Sequence, residues 1–192
     1  GVSSITAVPA YAGIPLTHRE HASSVAIVTA HECPAKPGTP TACRPAADAD
    51  TIVCLMGVRQ LGETAAQLIH QGRAATTPCA VIEWGTWPRQ KKVIGTLKNI
   101  VQKVSDQELK SPSLIVIGQT VKLAHQLDWL SEKPLFGKRI GVTRSLQSPG
   151  SLSQKLKLLG ASVIEFPTIK ITPPSSFQKL DRALSRLNRF DW

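Results

Sequence analysis

Apolar residues along this chain form short continuous runs that alternate with helical stripes, and that order predicts an α/β fold. Residues 5–16 are small and apolar, broken by Pro9, Gly13 and Pro15. That composition suits a tight loop followed by a short helix, with backbone able to approach a ligand closely. SSVAIVTAH (23–31) reads as a strand, and the Pro-rich stretch 33–47 reads as a surface loop. Residues 51–56 are a continuous apolar run of strand length, the mark of a buried parallel strand ending at Gly57. Leu61, Ala65, Leu68 and Ile69 then mark one face of a helix stopped by Gly72. Pro78 opens a second apolar run, CAVIEW (79–84), closed by Gly85, so strand, helix and strand form a βαβ unit. A strand over 92–97, a helix over 98–104, a strand over 113–118 and a helix over 119–127 continue the pattern. Ligands of such sheets gather at the carboxyl ends of the strands, where Met56-Gly57 and Gly85-Thr86 fall.

The pattern restarts after Ser131-Glu132-Lys133-Pro134. KRIGVTR (138–144) reads as a fresh first strand, and Leu152, Leu156 and Leu159 mark a helix stopped by Gly160. A strand over 161–167 follows, and after Pro173-Pro174 a basic amphipathic helix covers 176–188. The expected organisation is a domain over 1–130, a linker over 131–137 and an incomplete α/β unit over 138–192. The chain starts at Gly1 rather than Met and stops at Asp191-Trp192 within a helical pattern, so both ends read as cut.

Composition narrows the function classes. At 42% hydrophobic the 192 residues can bury a core, which excludes a disordered tail. No apolar run reaches the roughly 18–20 residues of a membrane-spanning helix, and the first residues lack the layout of a secretory signal. Charge is unevenly spread: residues 1–85 carry 5 Lys+Arg against 6 Asp+Glu, whereas 86–192 carry 18 against 7. A basic half points to an anionic partner, whether nucleic acid, a phosphate or a polycarboxylate, or to a solvated basic face. Few aromatics are present and no basic run reads as interleaved with stacking rings, which weighs against nucleic acid. Cys54 and Cys79 sit in apolar runs and read as reduced core residues of a cytoplasmic protein. Cys33 and Cys43 carry no assignment, and no Cys/His spacing suggests a metal.

The strings GVSSITAVPAYAGIPLTHREHASSVAIVTAHE, LMGVRQLGETAAQLIHQGR, PCAVIEWGTWPRQKKVIGTL and SPSLIVIGQTVKL resemble, in order and spacing, the second half of the uroporphyrinogen-III C-methyltransferases of the tetrapyrrole methylase family. AYAGIPLTHR and the GT-x-x-x-Q phrase (85–90) are the specific parts; the Pro/Ala-rich stretch 33–50 departs from the family. The resemblance implies a mixed sheet with helices, S-adenosyl-L-methionine as cofactor, and methylation of two ring carbons of uroporphyrinogen III on the route to sirohaem and cobalamin. It implies a homodimer with the cofactor in a cleft between two domains. By position it assigns Ser3, Ser4, Met56 and Gly85 to the cofactor. The family's acid–base candidates and glycine-rich loops lie in its first domain, so no catalytic residue is assigned here, although Asp48, Asp50 and Glu83 are present.

The polycarboxylate substrate gives the basic charge a role. Arg89, Lys91 and Lys92 follow the cofactor glycine and are the first substrate-binding candidates, with His18 and Arg19 second. Residues 137–174 are similar to the opening of uroporphyrinogen-III synthase, the enzyme that makes the methyltransferase's substrate, and there Arg144 is the candidate substrate contact. The expectation is therefore a methyltransferase half fused to the start of a synthase. A basic nucleic-acid-binding module and an inactive fragment are the alternatives; the first explains the charge but not GIPLTHR or the glycines that end the strands.

Overall fold

The computed structural model describes residues 1–30, 46, 48–143, 151–170 and 172–189. Cys33, Cys43 and Arg144 lie outside the described residues, as does all but a few residues of the stretch 33–50. Its first element is a helix, α1 (Ser4–Tyr11), not the expected loop; the turn comes after it. The Ser3 carbonyl starts the helix by accepting from the Ala7 N–H at 3.0 Å, and Pro9 sits inside it. The small residues that suggested a loop instead let α1 lie close against the sheet. Gly13, at φ 73°, ends the turn so close to the Leu127–Asp128 backbone that a Cβ there would come within 2.6 Å of it.

Five strands form one mixed sheet: β1 (Val25–Thr29), β2 (Thr51–Leu55), β3 (Pro78–Glu83), β4 (Lys91–Thr96) and β5 (Ser113–Ile117). Their spatial order is β1-β2-β5-β3-β4. β1 and β2 pair in parallel, whereas β5 runs antiparallel to both β2 and β3, and β4 runs antiparallel to β3. The expected βαβ unit is therefore split, since β5 is inserted between β2 and β3. Both still run in the same direction, so their carboxyl ends reach the same edge of the sheet. The register puts Leu55 beside Leu114, and Glu83 between Ser113 and Lys91, at that edge.

Alternation within the strands feeds two cores. Ile52, Cys54, Cys79, Val81, Ile115 and Ile117 face α2 (Leu61–His70) and α3 (Ile100–Asp106). Val53, Ala80, Ile82, Leu114 and Val116 face α1 and the segment 119–127. That segment is a 3-10 turn (Gln119–Leu123) followed by the short α4 (Ala124–Leu127) rather than one helix. β3 is buried along its whole length because both its faces are covered. Leu61, Ala65 and Leu68 line the buried face of α2, while Ile69 points partly outward at 37% exposure. Gly72, at φ 97°, follows the helix as expected. Cys54 and Cys79 are fully buried, and burial pushes the Cys79 thiol well above its ordinary range, so it is chemically inert.

A separate pair of parallel strands, β6 (Arg139–Val142) and β7 (Ser162–Glu165), is joined through α5 (Ser151–Leu158). α6 (Gln178–Leu184) and a 3-10 turn (Leu187–Arg189) replace the longer helix expected over 176–188, and neither buries a residue. Segment 131–137 is hydrogen-bonded on both sides: Gly137 N–H donates to the Pro88 carbonyl (3.1 Å) and Leu135 N–H to the Leu159 carbonyl (3.0 Å). No helix among the described residues is long and apolar enough to cross a membrane.

Candidate cofactor pocket

A cavity of about 560 Å³ opens at the sheet edge where β2 and β3 end and β5 begins. Its floor is Leu55, Ile82 and Leu114, its walls are Trp84, Trp87 and Pro112, and α1 contributes Ser4 and Val8. The volume is that of a small-molecule site, and the lining is mainly apolar with a few hydroxyls, as such sites require. Three of the four positions assigned to the cofactor converge here: Ser4, Met56 and Gly85. Ser3 does not line the cavity; its carbonyl is used to start α1.

Packing explains the glycine. A Cβ on Gly85 would stand 2.4 Å from a Val8 methyl, so α1 rests directly on this residue and any side chain would displace the helix. Of the four non-glycine residues with positive φ among the described residues, Met56 (54°), Trp84 (51°) and Thr86 (72°) lie at this edge. Left-handed backbone costs an L-residue roughly 1–2 kcal/mol, and its concentration around one cavity marks a place where shape is held for a ligand. Met56 is 61% exposed, so it serves no core. The Ser113 hydroxyl oxygen, by contrast, is buried without a hydrogen-bond partner in the cavity wall.

The basic candidates separate. Arg89 stacks on Trp84, its guanidinium carbon 3.3 Å from the ring centroid and 5.3 Å from that of Trp87. A single basic residue, not a basic run, thus meets the two rings of WGTWPRQ. The arrangement holds the guanidinium plane while leaving its N–H edge available. Lys91 is exposed at the start of β4. Lys92 faces the other side of that strand, where its ammonium donates to Asp128 (2.8 Å) and to the Ala12 carbonyl (2.9 Å). It ties β4 to the turn after α1, and its ammonium is engaged there by two internal acceptors. Burial raises the Asp128 pKa, but hydrogen bonds from Lys92 and Ser131, together with the Lys92 charge, bring it below its ordinary value.

His18 and Arg19 lie in the turn after α1, outside the cavity lining. His18 stacks on His21, with ring centroids 4.8 Å apart, and its Nδ1 accepts the Glu20 N–H at 3.2 Å. His18, Glu20 and His21 each bring a possible ligand atom within 4.8 Å of the others, a cluster that the sequence reading did not single out. Neither Asp50 nor Glu83 is free for acid–base work. Asp50 accepts from the N–H and hydroxyl groups of Ser23 and Ser24, and Glu83 accepts the Lys110 N–H at 3.2 Å.

Arg59, Trp84, Trp87 and the segment 111–114 were missed as lining residues. The insertion of β5 between β2 and β3 brings in 111–114, and that is a matter of long-range pairing. The aromatic pair Trp84 and Trp87 flanking Gly85 was the legible signal.

Comparison with known proteins agrees with this geometry. The family described as Tetrapyrrole (Corrin/Porphyrin) Methylases matches residues 1–101. Uroporphyrinogen-III C-methyltransferase of Bacillus subtilis is 43% identical over 169 residues, which are 87% of this chain and 35% of that protein. Porphyrin biosynthesis protein HemD of Ruminiclostridium josui is 37% identical over 196 residues, all of this chain and 38% of that protein. The crystal structure of uroporphyrin-III C-methyltransferase from Thermus thermophilus complexed with S-adenosyl homocysteine superposes with a TM-score of 0.54 at 30% identity. That match covers 64% of this chain and 50% of that one. The chain thus spans between about a third and a half of these relatives.

Proposed function

Because the chain belongs to the tetrapyrrole (corrin/porphyrin) methylases, we propose that it forms the cofactor-holding wall of an S-adenosyl-L-methionine-dependent uroporphyrinogen-III C-methyltransferase. The observation that carries this reading is the convergence of Ser4, Met56 and Gly85 on one cavity of about 560 Å³ at the sheet edge. The residues present fit the cofactor. Leu55, Met56, Ile82 and Trp84 offer an apolar bed for a nucleoside, and the orphan Ser113 hydroxyl offers a polar atom with no internal partner.

When bound, the cofactor supplies a methyl group already activated on a sulfonium. The chain's own contribution is alignment and exclusion of water. Gly85 lets α1 pack against the cavity edge, the left-handed turn at Met56 sets the side chain on its rim, and Trp84 and Trp87 line it. Arg89, pre-oriented on Trp84, and the exposed Lys91 are the groups that would receive substrate carboxylates. Arg19 and His18, in the turn after α1, are the second pair of candidates for those carboxylates.

The rest of the reading concerns the whole protein. Alignment of the Ruminiclostridium josui relative along the entire chain supports assigning residues 138–192 to the start of a uroporphyrinogen-III synthase unit, for which Arg144 is the proposed substrate-binding residue. A cytoplasmic homodimer on the sirohaem or cobalamin route completes the proposal. The test is methyl transfer by the protein expressed from its complete reading frame, supplied with uroporphyrinogen III and methyl-labelled cofactor. Incorporation into the tetrapyrrole, inhibited by S-adenosylhomocysteine, is expected; label transferred only to another acceptor contradicts the substrate assignment.

A further inference from the structure

Among the described residues, Arg59 is the one ionisable side chain lining the cavity. It has no hydrogen bond or ion pair among the described residues, and the nearby acids are committed elsewhere. Glu83, at the end of β3, accepts the Lys110 N–H, and Glu63, one turn along α2, accepts from Gln67 at 3.4 Å. The backbone beneath Arg59 is fixed. It lies in a 3-10 turn (Val58–Gln60) closed by Gln60 N–H donating to the Gly57 carbonyl at 3.1 Å. Gly57 itself is wedged: a Cβ there would meet the Cys54 sulfur at 2.8 Å and an Ile115 methyl at 2.9 Å.

An exposed cation on a fixed backbone turn, lining an apolar cavity and without a counter-ion among the described residues, is free to meet an anion from outside. Arg89 differs because its face is already occupied by Trp84. The same cavity is lined by Ser113, whose buried hydroxyl oxygen has no hydrogen-bond partner among the described residues. We propose that Arg59 receives a carboxylate of the bound ligand. The inference rests on the functional reading above, under which two carboxylate sources reach this cavity: the amino-acid end of the cofactor and the side chains of the tetrapyrrole. A guanidinium meets either as a two-pronged, charge-assisted donor.

The experiment compares Arg59→Gln and Arg59→Lys with the unsubstituted protein from the complete reading frame. Each is titrated with S-adenosylhomocysteine and with 5′-methylthioadenosine, which lacks the carboxylate, and then assayed against uroporphyrinogen III. Loss of about tenfold in S-adenosylhomocysteine affinity in Arg59→Gln, with methylthioadenosine unchanged and Arg59→Lys intermediate, assigns Arg59 to the cofactor's carboxylate. Unchanged affinity for both nucleosides, with a KM for uroporphyrinogen III raised about tenfold and kcat retained, assigns it to the substrate's. Equal loss on both nucleosides, or no change in any arm, overturns the inference. Failure of the unsubstituted protein to bind S-adenosylhomocysteine overturns the functional reading, and this inference with it.

Discussion

The two sheets of this chain share a vocabulary of apolar strands, amphipathic helices and glycine stops, yet only one of them encloses a core. β3 and β5 of the larger sheet are covered on both faces, and Val81, Ile82, Ile115, Val116 and Ile117 have no exposed surface. In the smaller sheet Ile164 is 47% exposed, and on α6 Leu180 is 53% exposed. The difference lies in partners. The five-stranded sheet has helices on both faces, whereas among the described residues the β6–β7 pair is packed chiefly by α5. A hydrophobic pattern states which face of an element is to be buried; burial itself requires the layer that covers it.

Substitutions at one apolar position in each region break this comparison most strongly. Ile115→Ala should cost about 2–5 kcal/mol, because it empties a position packed between strand and helices. Leu180→Ala should stay within about 0.5 kcal/mol, since its side chain fills nothing. Chemical denaturation followed by far-UV circular dichroism measures both; comparable losses contradict the contrast. A smaller effect is expected from Lys92→Ala, which leaves the Asp128 carboxylate, 16% exposed, without its cation. About 1–3 kcal/mol is expected, less in Lys92→Ala/Asp128→Ala than the sum of the single changes.

The smallest effect is a pH dependence confined to the larger unit. Hydrogen bonds from Ser23 and Ser24, led by the Ser23 N–H, lower Asp50 from its ordinary 3.8 to about 2. A carboxylate with a depressed folded-state pKa stabilises the fold above its ordinary value, and that contribution is lost as pH falls toward 2. Asp128 acts in the same direction. Asp50→Asn should therefore flatten part of the decline in stability between about pH 4 and 2; an unchanged slope there contradicts this assignment.

How much of this was legible follows from the range of each interaction. Strands β2, β3 and β5 were readable because each is a continuous apolar run bounded by Gly or Pro. The place of β5 between β2 and β3 was not, since pairing partners leave no local mark in sequence. The loop and short helix of residues 5–16 were read in the wrong order because Pro9 and Gly13 are breakers in isolation, whereas the sheet and Gly85 supply the surface that holds the helix. Met56 and Gly85 could be placed by resemblance and by their position at strand ends. Lys92 could not be distinguished from Lys91 by charge, and only the pleat of β4 sends the one to Asp128 and the other to solvent. Arg59 carried no signal at all until the turn after Met56 had a shape.

The central claim is that the cavity at the shared edge of β2, β3 and β5 holds the cofactor. Its most direct test is S-adenosylhomocysteine affinity in Met56→Ala, measured by calorimetry on the protein from its complete reading frame. Met56 is 61% exposed and leaves the core untouched, so the melting temperature should hold. Affinity should fall about tenfold, matching the loss of a partly buried apolar contact. Unchanged affinity with an unchanged melting temperature would place the cofactor elsewhere and contradict the account.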